Sequence, residues 1–284
     1  MGILSSVLKL IKYKLSLAVT LSSLAGYYLY PGEVRSNILL LITGVFCLAG
    51  GSAALNQVQE WKRDALMNRT KQRPIPSGKI TPGSALIIAT GFCLAGSIIL
   101  SQTSLVPLLL GVLTVVLYNG IYTPLKPRSS FAILPGGMVG ALPPMIGWTA
   151  AGGVLSHPNI LFVATLMFLW QMPHFWLLLI RYGKEYEAAG FSTLKRRLDD
   201  SQIKRLVFWW MTISLIFLLT APMFGLELQA WLFITLGVMN VVFIGFFYLI
   251  LFRTNSEKML RLVFILTNIF LTVVLLALIL NSVL

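Results

Sequence analysis

Apolar residues in this chain come in long unbroken runs, not in the short periodic stripes of a soluble fold. Nine such runs can be read, at about 9–30, 37–58, 82–102, 104–123, 131–151, 158–181, 206–224, 229–252 and 259–281. Each is close to the ~20 residues a helix needs to cross the hydrocarbon core of a bilayer. A spanning segment must satisfy its own backbone in lipid, so an open sheet or irregular chain is excluded. The expected fold class is an all-α polytopic membrane protein, a nine-helix transmembrane bundle forming one domain over residues 1–284. Composition agrees: 57% of residues are hydrophobic, only 11% are charged, and the mean hydropathy is +0.85. A soluble domain carries about a quarter charged residues.

Charge changes the picture in one respect. A net +13 would suit a nucleic-acid partner, but its distribution along the chain argues for no nucleic acid and for a lipid bilayer. With the N-terminus inside, 21 of the 22 Lys/Arg fall in cytoplasmic loops or helix ends, leaving only Arg35 outside. The positive-inside rule then requires an odd helix count, N-in and C-out. Most of these cations orient the protein and meet anionic lipid. Residues 1–14 show neither a cleavable signal nor a transit peptide, and the expected home is a prokaryotic plasma membrane. Cys47 and Cys93 lie inside apolar runs without metal-type spacing and are expected to be small packing residues.

Against this sparse background, "NQVQEWKRDALMNRTKQRPIPSG" at residues 56–78 concentrates polar groups at the end of the second run. Asn56, Glu60 and Asp64 recur every four residues, which places them on one helix face over about 12 Å. Acids near a bilayer usually face a cavity and a partner. Oxygen ligands on one face suit Mg²⁺ shared with substrate phosphates. Arg69, Lys71 and Arg73 follow in one short segment, and Pro74 ends the helix there. An acid row for a metal beside a basic elbow could grip a diphosphate. The same pattern fits a salt-bridged helix end with a solvated basic loop, and spacing alone does not separate the two.

The stretch "NQVQEWKRDALMNRTKQRP" resembles the N-xxx-[DE]-xxx-D signature of the UbiA-type intramembrane prenyltransferases, in the form found in their protohaem IX farnesyltransferase branch. "YTPLKPRSS", "GGMVGALPPMIGW" and "WQMPHFWLLLIRYGKEYEAAG" agree with it in order and place. The likeness runs from about residue 12 to 210, and the last three runs match only in number and hydropathy. It implies a central cavity open to the cytoplasmic side. It also implies transfer of a farnesyl group from farnesyl diphosphate to a vinyl group of haem b, for terminal-oxidase haem biosynthesis. Mg²⁺, or Mn²⁺, would be held by Asn56, Glu60 and Asp64, with Glu185 as a second site. Arg69, Lys71, Arg73, Lys126, Arg128, Tyr122 and Lys184 would bind substrate, and association with a haem A synthase or oxidase assembly proteins would be expected. Two departures stand out: Glu185 replaces the family's usual Asp, and Ser192-Thr193-Leu194-Lys195 replaces its P-M-L-P.

His174 is the only histidine within an expected span. It reads either as a hydrogen-bonded interior residue or, under the resemblance, as an axial ligand for haem iron. Trp170, Phe175 and Trp176 read as helix packing or as a wall for a planar substrate. Glu187 is expected to be a solvated loop acid. The competing functions are prenylation of an aromatic quinone precursor and a non-enzymatic transporter or assembly factor, which would normally carry a repeat and midplane charges.

Overall fold

A computed structural model describes residues 2–34, 36–253 and 257–283; Arg35, the one expected outer cation, lies outside them. The described residues form helices and connecting turns, without strand. They are α1 (Ile3–Leu10), α2 (Tyr13–Tyr28), α3 (Ile38–Asp64), α4 (Pro82–Ser101), α5 (Leu105–Val115), the three-residue α6 (Thr123–Leu125), α7 (Ile133–Ala151), α8 (Pro158–Ala188), α9 (Asp200–Leu219), α10 (Ala230–Arg253) and α11 (Glu257–Val283). A π-helical segment, Val116–Tyr122, joins α5 to α6 without a break.

Among the described residues, eight segments are long and apolar enough to cross a membrane. The expected first run, 9–30, is not one continuous helix. It is divided at Lys12, whose backbone is left-handed (φ 46°, ψ 53°) between α1 and α2. That leaves α2 with 16 residues, about 24 Å of helix, and makes α1 a separate amphipathic piece with Ile3 and Leu4 exposed. Lys12 is the one described non-glycine residue with positive φ, a conformation that costs an L-residue about 1–2 kcal/mol.

Sequential helices pack as neighbours, α2 on α3, α3 on α4, α4 on α5, and onward from α7 to α11, and α11 closes the ring against α2. Helix α7 packs against α2, α5 and α8. Small residues permit the close approaches, as expected where lipid offers no hydrophobic drive between helices. A Cβ on Gly26 or Gly147 would strike the Pro144 or Ser23 carbonyl of the facing helix. Gly51 is filled by Cys93, which gives that thiol its expected packing role. Outward residues such as Ile87, Ile98 and Val241 are exposed aliphatics, a surface suited to lipid.

Length explains where polarity sits. Helix α3 has 27 residues, about 40 Å, against a hydrocarbon core of about 30 Å. Asn37 caps its start by accepting from Leu39 N–H at 2.8 Å. Its last turns therefore project beyond the core, carrying Glu60 and Asp64, with Asn56 just inside it. Helix α8, with 31 residues, projects likewise and carries Glu185 and Glu187.

Candidate functional site

Asn56, Glu60 and Asp64 are all buried, at 1%, 5% and 1% exposure. They line a cavity of about 220 Å³ bounded by α3, the π segment, the start of α7 and α8. A cation drawn from a different part of the chain meets each rung of the row. Arg73 Nη1 donates to Asp64 Oδ2 at 2.7 Å, and Lys126 Nζ donates to Glu60 at 3.0 and 3.1 Å. At the bottom, Lys12 Nζ donates to Asn56 Oδ1 at 3.2 Å. The Asn56 amide then donates to Glu60 Oε2 at 2.9 Å and Thr123 Oγ1 at 3.1 Å. Burial acts to lower the Lys126 pKa, but the Glu60 carboxylate outweighs it and holds the group above its ordinary value. The ion pair's stabilisation is therefore present below about pH 10.5, the unfolded value, and is lost as pH rises through the higher folded value.

Three local features build this arrangement. The turn after α3 is tied down by Thr70 Oγ1 donating to the Asp64 carbonyl at 2.8 Å, which brings Arg73 back over Asp64. The π segment places Tyr118 and Tyr122 in stacked contact, with ring centroids 5.5 Å apart. Lys126 Nζ lies 4.6 Å from the Tyr122 ring centroid. Segments of this kind often occur at functional sites. Two amides lock the frame: Gln59 Nε2 donates to the Asn119 carbonyl at 2.9 Å, and Gln57 Nε2 to the Leu10 carbonyl at 2.6 Å.

Arg69 stands at the rim, its Nη2 donating to the Tyr186 hydroxyl at 2.8 Å and its guanidinium 5.2 Å from the Tyr182 ring centroid. Its backbone N–H donates to Glu185 at 3.4 Å, so Glu185 sits beside the rim and not in the buried row. Of the expected site residues, the cavity gathers Asn56, Glu60, Asp64, Arg69, Arg73, Tyr122 and Lys126. It does not gather the rest. Lys71 is exposed and donates to Asn68. Arg128 is exposed on a neighbouring cleft, and Lys184 is exposed. His174 lies beside Asn268, and its ring is 4.8 Å from that of Phe264. Trp170 stacks on Phe270 at 5.3 Å. Both turn towards α11. Glu187 is not a free loop acid: it accepts from the buried Thr193 hydroxyl at 2.6 Å. Sequence reading missed Lys12, Asn119 and Thr123; Lys12 stands between Lys9 and Lys14 at the start of its run, and nothing in the sequence sets it apart from them.

The donor set suits Mg²⁺. That ion commonly takes one or two protein carboxylates and completes its shell with water and substrate phosphates. Glu60 and Asp64 supply such a pair, and among the described residues no three acids, histidines or cysteines converge into an all-protein cage.

The helical membrane bundle thus sets buried acids against cations in one cavity, a lining suited to an anionic substrate. The chain is a member of the UbiA prenyltransferase family, whose profile matches residues 6–279. It is 39% identical over 222 residues to a protoheme IX farnesyltransferase of Geobacter sulfurreducens, covering 77% of this chain and 81% of that one. It is 34% identical over 259 residues to that of Flavobacterium psychrophilum, covering 87% and 84%. Among solved structures, an apo UbiA homolog from Aeropyrum pernix K1 matches with a TM-score of 0.75 at 18% identity, over 96% of this chain and 99% of that one. A UbiA homolog from Archaeoglobus fulgidus bound to GPP and Mg²⁺ matches with a TM-score of 0.66 at 12% identity, over 96% and 99%. At these identities the structures establish the fold.

Proposed function

We propose that this prenyltransferase moves a farnesyl group from farnesyl diphosphate onto a vinyl carbon of haem b, with the diphosphate held at the cytoplasmic end of an N-in/C-out bundle. The observation that carries the reading is the paired row, in which buried Glu60 and Asp64 are matched by Lys126 and Arg73 inside one cavity. Such a row offers oxygens to a cation and cations to a leaving anion within a few ångströms. The naming of the bacterial relatives as protoheme IX farnesyltransferases supports the choice of donor and acceptor.

Glu60 and Asp64, with the Asn56 amide oriented between Lys12 and Thr123, would hold Mg²⁺, and Glu185 a second ion. When bound, the metal would neutralise diphosphate charge. Lys126 and Arg73 anchor the carboxylates until substrate arrives and then face the diphosphate oxygens. Arg69, fixed against Tyr182 and Tyr186, covers the rim. As the C–O bond of the farnesyl ester breaks, its electron pair stays with the diphosphate, where the cations stabilise the growing charge. The vinyl group attacks the allylic carbon. Water then adds to the remaining cationic carbon, and its proton leaves with the diphosphate. No protein nucleophile is needed.

A second reading has one observation in its favour. A cavity of about 220 Å³ is below the ~300–1,000 Å³ usual for larger ligands. A smaller aromatic quinone precursor would need less opening than a macrocycle. Calorimetric titration of the purified protein with a thiolodiphosphate analogue of farnesyl diphosphate tests the shared donor site. Binding should require Mg²⁺ or Mn²⁺ and should weaken in Asp64→Asn; metal-independent binding that ignores this substitution would refute the site.

A further inference from the structure

We infer that Lys12 is a catalytic residue, its ammonium contacting the ester oxygen that joins the farnesyl carbon to the diphosphate. This rests on the reading of the cavity as a prenyl-diphosphate site and adds to it a group from outside the four motif stretches.

Three independent observations converge on this residue. The first is position. Arg73, Lys126 and Lys12 occupy the top, middle and bottom rungs of the α3 row, each rung about 6 Å from the next along the helix. Asn56 is one turn deeper into the bundle than Glu60 and two turns deeper than Asp64. Lys12 is therefore the deepest cation of the row and marks its lower boundary, in a cavity that Phe175, Trp176 and Leu179 also line. A prenyl diphosphate seated with its phosphates on the upper rungs and its tail among those apolar groups puts its breaking C–O bond at this boundary.

The second is charge. Lys126 and Arg73 each have a carboxylate partner, whereas among the described residues Lys12 has no carboxylate within ion-pair distance and meets only the neutral Asn56 amide. A lysine facing a cavity without its own carboxylate is suited to an anion that arrives with the ligand, whose charge favours the ammonium form that burial, Arg73 and Lys126 disfavour. The third is backbone strain. Lys12 occupies the left-handed position just after α1, which helices usually give to glycine. A lysine retained in that conformation, and held there by Gln57 gripping the end of α1 through the Leu10 carbonyl, implies that the side chain is needed where the turn delivers it.

In the step concerned, the C–O bond breaks heterolytically and both electrons go to the ester oxygen. The ammonium hydrogen-bonds that oxygen as its charge grows, without transferring a proton. Such a contact strengthens in the transition state and so acts on rate more than on binding.

The test uses the full-length protein in detergent with Mg²⁺, farnesyl diphosphate and whichever of haem b or a hydroxybenzoate the wild type prenylates. Lys12→Gly relieves the left-handed strain, so its melting temperature should equal or exceed that of the wild type. Its single-turnover rate should fall by about 10²-fold or more, while the dissociation constant of the thiolodiphosphate analogue changes by less than about threefold. Lys12→Arg should recover part of the rate. A Lys12→Gly rate near wild type would overturn the inference. So would a loss confined to donor affinity or to acceptor KM, since either makes Lys12 an anchor for a bound anion and not a group at the reacting bond. In an Asn56→Ala background the substitution should still cost rate; no further loss would reduce Lys12 to a support for Asn56. A wild type that neither binds the donor analogue nor prenylates either acceptor would remove the site reading itself, and this inference with it.

Discussion

The carboxylates of the α3 row are already neutralised by protein cations, and this sets what each substitution should do. Asp64→Asn removes the partner of Arg73 in a pair whose acid is 1% exposed. Breaking such a pair by removing one partner leaves a poorly compensated charge, at a cost of up to about 3–5 kcal/mol when fully buried. The guanidinium is 22% exposed, so water recovers part of that. Asp64→Asn is therefore expected to abolish prenyl transfer and also to lower the melting temperature, whereas Asp64→Asn combined with Arg73→Gln should restore stability without activity. Thermal denaturation beside a transfer assay checks both, and an inactive single variant with an unchanged melt would contradict the pairing. The spacing of Asn56, Glu60 and Asp64 was legible because helix geometry is local. The partners were not equally so. Arg73 and Lys126 could be named as cations, but their rungs depend on the Thr70 turn and on the π segment, and no sequence period announces either. Lys12 was hidden more deeply, since a left-handed lysine breaks the rule that reserves this backbone for glycine.

At the level of elements, the extra residues of the π segment set the phase of Tyr122, Thr123 and Lys126 relative to α3. A span read only by hydropathy has no such phase, which is why 104–123 was visible as a membrane run but its contribution to the site was not. The loop after α8 is a second case. The family's prolines are missing from it, and in sequence Glu187 reads as a solvated loop acid. Instead Thr193 donates to Glu187, the Ser192 N–H donates to the Lys126 carbonyl at 3.0 Å, and Lys195 pairs with Asp200 at 2.9 Å. The departure from the family's motif is thus compensated by two side-chain ties and one backbone hydrogen bond, which a residue-by-residue comparison would score as losses. Glu187→Ala should lower stability by about 1 kcal/mol with a modest loss of turnover. Glu185→Ala should weaken donor binding and leave stability nearly unchanged, and Glu185→Asp should retain activity. Titration of the donor analogue against each variant, beside a melting curve, separates the two acids; identical profiles would mean that neither has a specific role.

Across the whole molecule, the helical membrane class and most of the spans follow from hydropathy, because lipid admits so few architectures. What hydropathy did not show was the break in the first run, which Lys12 divides into an amphipathic piece and a short α2. The last three runs matched the family only in number, yet α11 closes the ring on α2 and supplies Phe264, Asn268 and Phe270 to the side of α8 that carries His174 and Trp170. Those contacts favour the interior-residue reading of His174 over the ligand reading. His174→Ala should accordingly lower the melting temperature and leave the absorption spectrum of added haem b unchanged; a shifted haem spectrum would return His174 to iron.

The central claim concerns what is transferred to what. Purified protein incubated with farnesyl diphosphate, haem b and Mg²⁺, followed by pigment extraction and mass spectrometry, tests it most directly. The expected product is haem b carrying one added farnesyl and one added hydroxyl group, absent when Mg²⁺ is chelated and absent with Asp64→Asn. Unaltered haem b under conditions where the same preparation prenylates a hydroxybenzoate would contradict the claim.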